Sequence, residues 1–309
     1  MSTVSGPLVS SAPRVARSLA ADLLTLSKPG ITANVLFTTL GGALLAPSTP
    51  GFRPATWGWL ALGTTLVVSG ANALNMYIER DIDKHMTRTA NRPLPAGRMN
   101  ERVALFFGLA LSIAAIPVFL FGTNGTTTLL ALLANISYVL AYTPLKQKSH
   151  AALFVGAVPG AIPPLMGWTA KTAQVDPGAM ALFTLMFFWQ IPHFLAITMF
   201  RKADYARAGL IVMPNVLGDE ATKRQMLHYT AAVLVSSFAL FMLGVAHTLY
   251  LAIATVLGLA FLAIVTVGLV RPVGVRWARG VFGYSILYLM GIFVALGLDH
   301  SLAGFTWRW

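Results

Sequence analysis

The chain of 309 residues is 56% hydrophobic and only 10% charged, its net charge is +12, and it contains no cysteine. Because soluble domains carry roughly 25% charged residues, this composition excludes an ordinary water-soluble protein. The missing cysteines also exclude disulfides and thiol chemistry.

Charge-free stretches long enough to cross a bilayer divide the chain. A helix needs about 20 mainly apolar residues to span the hydrocarbon core, and the stretches 103–145 and 225–270 each have room for two such helices. The lipid-facing backbone must satisfy its own hydrogen bonds, so we predict an all-α polytopic membrane protein with nine transmembrane helices. These spans lie near 29–47, 56–78, 103–121, 126–144, 150–168, 178–200, 227–245, 249–270 and 280–298.

The basic residues are sorted to one side of this predicted topology. With nine spans, 19 of the 22 Lys and Arg residues fall on the face that holds the N-terminus. The positive-inside rule therefore predicts a cytoplasmic N-terminus and an external C-terminus in the cell's inner (plasma) membrane, and the charge needs no nucleic acid to explain it. We predict a cytoplasmic tail at 1–27, a transmembrane domain at 28–300 and an external tail at 301–309. A transit peptide is a second, less simple interpretation of the basic N-terminal tail.

The densest polar segment follows the second span. Asn75, Glu79 and Asp83 are spaced at i, i+4 and i+8, so they share one face of a continuing helix. Such oxygen ligands suit Mg²⁺, which typically takes one or two carboxylates together with substrate phosphates. Cations that match phosphate oxygens follow at Lys84, Arg88, Arg92 and Arg98. The pattern predicts a metal-bridged diphosphate site, and the alternative is a solvated loop whose opposite charges pair with one another.

A second polar cluster follows the sixth span. Asp204 is an acid among cations just past the helix end, and His193 lies about two turns before that end, inside the predicted helix. Ionisable groups within a membrane are functional candidates, although a neutral histidine bonded to a neighbouring helix is the structural alternative. Gln190 and Pro192 predict an interrupted helix that lines a cavity.

Two smaller features frame the fourth and fifth spans. Lys146 and Lys148 follow the fourth span, where they are either interfacial anchors or part of the site. The run from Gly156 to Pro164 is rich in small residues, which permits close contact between helices.

Together, these motifs resemble the UbiA superfamily of intramembrane prenyltransferases. The resemblance covers residues 27 to 298, and its details are most similar to the branch that acts on haem. It rests on Asn75-x-x-x-Glu79-x-x-x-Asp83, Arg88-Thr89-x-x-Arg92-Pro93, Pro163-Pro164-Leu-Met-Gly167-Trp168, Pro192-His193-Phe194 and Asp204-Tyr205-x-x-Ala208-Gly209-x-x-x-Met213-Pro214.

The chain departs from the superfamily pattern at several positions. Gly30 stands where the branch often has Arg, Glu79 where it often has Asp, and Gln147 where it often has a further Arg. The second motif keeps only Asp204, so the resemblance leaves the number of bound metals open.

The resemblance implies a UbiA-type helical bundle that transfers the farnesyl group of farnesyl diphosphate to a vinyl group of haem B, giving haem O and diphosphate. The implied Mg²⁺ ligands are Asn75, Glu79, Asp83 and Asp204. The implied partners of the leaving diphosphate are Lys84, Arg88, Arg92, Lys146 and Lys202. His193 is implied to contact haem, as an iron ligand or a propionate partner. Membrane lipid surrounds the enzyme, and haem A synthase or a terminal oxidase assembly is the candidate protein partner.

Two other functions compete with this interpretation. A sister enzyme acting on an aromatic quinone precursor shares most of the motifs, but Pro192-His193 replaces an acid expected there. A transporter for an anionic lipid or haem typically carries its charges near the middle of the membrane, whereas here they crowd one interface.

Overall fold

The computed structural model describes residues 18–47, 49 and 52–306, and in those ranges the secondary structure is helical throughout. The helices are α1 Leu19–Ser27, α2 Pro29–Leu45, α3 Ala55–Ile78, α4 Arg80–Asp83, α5 Glu101–Gly122, α6 Gly125–Ile136, a π-helical turn Ser137–Tyr142, α7 Thr143–Leu145, α8 Ala152–Thr172, α9 Pro177–Phe200, α10 Lys202–Arg207, α11 Met213–Val216, α12 Gly218–Met242, α13 Thr248–Val270 and α14 Val275–Thr306. The all-α prediction is confirmed.

Nine long helical segments coincide in position with the nine predicted spans. In the described part of the chain, seven helices are long and apolar enough to cross a membrane. They begin at α5, α6, α8, α9, α12, α13 and α14. Helix α2 is shorter, and α3 is not among the seven. The count of nine transmembrane helices therefore stays a prediction.

Both predicted tails contain helix. Helix α1 occupies the last part of the predicted tail 1–27, and Ser18 is its N-cap. Asp22 on this helix is buried and forms a bidentate ion pair with Arg98 at 3.0–3.3 Å. At the other end, α14 continues to Thr306, beyond the predicted boundary at 301. Residues 1–17 and 307–309 lie outside the described residues. The helical bundle thus extends further in both directions than charge patterning suggests.

Helices α8 and α9 form the centre of the bundle. Of the seven apolar helices they are the most buried, because 67% of the apolar stretch of α8 and 56% of that of α9 lie inside the structure. Glycine allows α2 to touch α8 directly, because a Cβ on Gly167 would lie 1.8 Å from the Thr39 carbonyl oxygen and one on Gly42 would lie 2.1 Å from that of Pro164. This backbone contact joins the second half of α2 to the second half of α8.

Candidate active site

A cavity of about 440 Å³ opens among the ends of α3, the π-helical turn, α9 and α14. Its size is within the range of small-molecule sites. Six of the residues that the sequence predicts for the site line it, namely Asn75, Glu79, Asp83, Arg88, Arg92 and Lys146. The cavity therefore joins the first acidic motif to cations from two separate loops.

The first motif remains on one face although the helix is interrupted there. Helix α3 ends at Ile78, and Glu79 is its C-cap. The backbone N–H of Glu79 still donates to the Asn75 carbonyl at 2.9 Å, and that of Asp83 donates to the Glu79 carbonyl at 2.8 Å. Helical spacing is thereby kept across the break, and the three residues are 0–4% exposed.

Asp83 has a buried carboxylate oxygen without a partner among the described residues. Its Oδ2 accepts a hydrogen bond from Arg92 Nη1 at 2.5 Å, while its Oδ1 is buried without a partner among the described residues. Buried polar atoms are almost always bonded, so a solitary carboxylate oxygen requires an explanation. A hard cation beside Oδ1 would supply one, and the oxygen-only donor set of Asn75, Glu79 and Asp83 fits Mg²⁺.

The other two members of the motif are held by side chains of the segment that follows the π-helical turn. Lys146 donates to Glu79 Oε1 at 3.1 Å, and Asn75 Nδ2 donates to Thr143 Oγ1 at 3.3 Å. Burial opposes the charge on Lys146, but the Glu79 carboxylate outweighs it and raises the pKa of Lys146 above its ordinary value. Lys146 therefore lines the cavity and pairs with Glu79, whereas Lys148 does not line the cavity.

Lys28 is a cavity residue that the sequence analysis did not select. It links α1 to α2 in a left-handed conformation, with φ of 45°, and its Nζ donates to Asn75 Oδ1 at 2.8 Å. Burial and the nearby Arg92 guanidinium lower the pKa of Lys28 to about 7. The cavity lining carries five Lys and Arg residues but only two carboxylates, those of Glu79 and Asp83, and this excess of positive charge favours an anion there. The available sequence signal was a lysine directly before Pro29 at the start of a span.

The acid of the second motif, Asp204, does not line the cavity, although Tyr205 beside it does. Asp204 is buried, forms an ion pair with Arg207, and accepts a hydrogen bond from the Thr87 backbone N–H at 3.3 Å. In the described part of the chain, no group of three acids or histidines is arranged to hold a metal ion. Asp204 therefore does not join Asn75, Glu79 and Asp83 in one group of metal ligands in this structure, and it stays a predicted ligand.

Two predicted cations also lie away from the cavity. Lys84 pairs with Asp81 at 2.8 Å, and Lys202 pairs with Asp219 at 2.8 Å; all four side chains are 43–69% exposed. Exposed ion pairs of this kind contribute little to stability. Neither lysine lines the cavity.

His193 lies next to the cavity in a ring of aromatic side chains. Its ring centroid is 4.9 Å from that of Trp189 and 4.8 Å from that of Phe282. Helix α9 continues through Pro192, so the predicted interruption is wrong. The Gln190 side-chain amide donates to the Met186 carbonyl at 2.9 Å, one turn earlier on the same helix. Part of the prediction nevertheless holds, because Phe194 and Phe282, the ring neighbours of His193, line the cavity.

The hydrogen bonds around His193 define its tautomer. Its Nδ1 lies 2.7 Å from Ser285 Oγ, and the Ser285 hydroxyl donates its single hydrogen to the Phe282 carbonyl at 2.6 Å. Ser285 Oγ can therefore only accept from His193, which places the proton on Nδ1 and a lone pair on Nε2. Nε2 has no hydrogen-bond partner among the described residues. A histidine in this state can ligate a metal.

Aromatic and aliphatic side chains form the rest of the cavity wall. The π-helical turn turns Tyr138 and Tyr142 into it, and π-helical turns recur at functional sites. Phe194 and Phe200 of α9 and Phe282 of α14 supply the opposite side. An apolar wall below a charged rim suits a molecule with a large apolar body and an anionic head.

A helical membrane bundle with carboxylates and cations at the rim of an aromatic cavity defines an intramembrane enzyme for prenyl diphosphates. The chain belongs to the UbiA prenyltransferase family, which its residues 35–298 match.

Relatives of known name support the family and extend over most of the chain. The protoheme IX farnesyltransferase of Myxococcus xanthus is 48% identical over 92% of this chain and 96% of that protein. The enzyme of the same name from Sorangium cellulosum is 54% identical over 79% of this chain and 87% of that protein.

Solved structures show the same fold at lower sequence identity. A digeranylgeranylglyceryl phosphate synthase superimposes with a TM-score of 0.76 and 16% identity over 91% of this chain and 98% of its own. A UbiA homologue from Archaeoglobus fulgidus bound to DMAPP and Mg²⁺ does so with a TM-score of 0.64 and 18% identity over 89% and 99%.

Proposed function

We propose that this protein transfers the farnesyl group of farnesyl diphosphate to a vinyl group of haem B, giving haem O and diphosphate. The farnesyl C1–O bond breaks, C1 bonds to the vinyl carbon, and water supplies the hydroxyl group of the product. The relatives named protoheme IX farnesyltransferase, up to 54% identical, support this substrate pair. The quinone-precursor alternative has no comparable support, and the transporter alternative is not favoured.

The observation that carries the mechanism is the unpartnered, buried Oδ1 of Asp83. We propose that Asn75, Glu79 and Asp83, completed by Asp204, hold Mg²⁺ on the diphosphate. When bound, Mg²⁺ would neutralise the charge that develops on the leaving diphosphate. The structural relative from Archaeoglobus fulgidus, solved with DMAPP and Mg²⁺, supports this proposal.

The chain's own cations complete the diphosphate site. Arg92 and Lys146 already face the carboxylates at 2.5 and 3.1 Å, and Arg88 lines the same cavity. Fixed positive charge aimed at a leaving group is usually the largest catalytic contribution. We add Lys28 to this set and leave out Lys84 and Lys202, since both are exposed and salt-bridged elsewhere.

The apolar wall serves the other half of the reaction. As the C1–O bond ionises, positive charge develops on the allylic carbon, and aromatic faces attract positive charge. Tyr138, Tyr142 and Phe282 line the cavity below the charged rim. They also exclude water that would quench the allylic cation before the vinyl group reaches it.

The proposal is tested with purified protein, radiolabelled farnesyl diphosphate, Mg²⁺ and haem B, followed by chromatography of the extracted pigments. We expect label in a more apolar haem that depends on Mg²⁺. Label transferred to a hydroxybenzoate or naphthoate acceptor and not to haem would refute the proposal.

His193 is the proposed contact to haem, and its tautomer fits an iron ligand. We expect His193→Ala to weaken haem binding and shift the haem absorption spectrum, because Nε2 is lost as a ligand. Affinity for farnesyl diphosphate should change little, since the charged rim is untouched. Titration of haem into the purified variant measures both the haem affinity and the absorption spectrum.

Exposed His228 provides the control, and His228→Ala should bind haem like the parent. An unaltered spectrum in His193→Ala, with only a lower unfolding temperature, would leave the histidine a packing residue.

The sorting of basic residues supports a defined orientation in the plasma membrane. We expect the N-terminus in the cytoplasm and the C-terminus outside, because 19 of 22 Lys and Arg residues then face inward. Reporter fusions at the two ends measure this. Both ends on one side would contradict nine spans.

A further inference from the structure

Arg201 lines the cavity but is not among the cations proposed to bind the diphosphate. Three of the lining cations bond to the acidic motif, since Lys28, Arg92 and Lys146 donate to Asn75, Asp83 and Glu79. The guanidinium of Arg201 also lines the cavity, but it has no hydrogen-bond or ion-pair partner within the described ranges. Arg201 therefore offers a free cation to whatever occupies the cavity.

Arg201 lies on a different wall from the acidic motif. It is the C-cap of α9, and the preceding turns place Phe194, Ile197 and Phe200 along the cavity. Its guanidinium carbon lies 5.5 Å from the centroid of the Phe200 ring. The α9 wall thus combines an apolar face about two turns long with a cation at its end.

A simpler explanation accounts for only part of this arrangement. A cation is favoured at a helix C-terminus, and an arginine is favoured at the cytoplasmic interface. Both effects explain a positive charge at position 201, and Arg201 is exposed, as they allow. Neither effect explains why the side chain also lines the cavity, on the same helix as His193, which lies eight residues or about 12 Å earlier.

We propose that Arg201 binds a propionate carboxylate of the haem substrate, an inference that rests on the proposed function. Haem B is a flat apolar ring with two carboxylates on one edge, which matches an apolar wall that ends in a cation. The planar guanidinium can bind a carboxylate through two parallel hydrogen bonds. The porphyrin then lies along α9 with its acidic edge at the membrane surface, while the diphosphate occupies the α3–α4 side.

The test compares haem B with its dimethyl ester, in which both propionates are neutral. Each is titrated into the purified full-length protein and followed by the Soret absorbance. We expect the parent to bind the diacid more tightly than the diester. Arg201→Gln should weaken binding of the diacid about tenfold, the scale of a charge-assisted hydrogen bond, and leave that of the diester unchanged. Arg201→Lys, which keeps the charge but loses the fork, should fall in between.

A matched control is available on the same face of the membrane. Arg224 is exposed and outside the cavity lining, so Arg224→Gln removes the same charge without touching the site. It should bind both haems like the parent. A general effect of surface charge would weaken the diacid equally in both variants and would overturn the proposal.

Two other outcomes also count against it. Arg201→Gln that weakens farnesyl diphosphate instead of haem would assign the arginine to the diphosphate. Equal binding of diacid and diester by the parent would overturn the propionate contact while leaving haem as the substrate. By contrast, a parent protein that binds neither haem would refute the proposed function itself.

Discussion

Asp83→Asn should reduce prenyl transfer by roughly a hundredfold to a thousandfold while the protein still folds and inserts. The asparagine oxygen can still accept the hydrogen bond from Arg92, so the buried guanidinium keeps its partner. The negative charge is lost, however, and with it the oxygen proposed to bind Mg²⁺. Glu79→Gln should behave likewise, because Lys146 retains an acceptor. Turnover at several Mg²⁺ concentrations, together with the apparent unfolding temperature, measures the effect.

Asp81 provides the control for this prediction. It lies between the two site acids, yet its side chain is 69% exposed, pairs with Lys84 and does not line the cavity. Asp81→Asn should therefore keep near-normal turnover. If Asp83→Asn or Glu79→Gln retained parental activity at limiting Mg²⁺, the carboxylates would serve only to hold Arg92 and Lys146 in place.

The sequence predicts the first acidic motif well because its spacing is local. Asn75, Glu79 and Asp83 lie one turn apart, and the backbone hydrogen bonds across Glu79 preserve that spacing even where α3 ends. The positions of the spans can likewise be predicted from the sequence, because a stretch of about 20 residues without charge is itself the physical requirement for crossing a bilayer. Both features can be read without knowledge of tertiary contacts.

What the sequence could not show depends on contacts between distant segments. Lys28 reaches Asn75 only because a left-handed residue joins α1 to α2. The distribution of cations around the cavity is equally non-local: Lys84 and Lys202 stand beside site motifs, yet their side chains pair with surface acids instead. Charge pattern identifies a basic loop, but only packing decides which of its cations face inward.

The direct contact of α2 with α8 is the second feature for which we expect a large effect. Gly167→Ala places a methyl group 1.8 Å from the Thr39 carbonyl oxygen and 2.7 Å from the Ala43 nitrogen. Both neighbours are backbone atoms, which cannot rotate away as a side chain would, so the two helices have to separate. Overpacking of a tight interior typically costs 1–3 kcal/mol, and we expect about 3 kcal/mol or more here.

This separation should also impair the site, although Gly167 is remote from the cavity lining. Helix α2 begins directly after Lys28, and α8 follows the loop that carries Lys146. We therefore expect a separation of the two helices to shift these lysines relative to Asn75 and Glu79, to which they donate. We expect Gly167→Ala to lower both the apparent unfolding temperature and the turnover. Gly58→Ala is the matched control, because nothing lies within 4 Å of its new Cβ and alanine is the better helix former. An unfolding temperature for Gly167→Ala equal to that of Gly58→Ala would show that α2 and α8 are not in backbone contact.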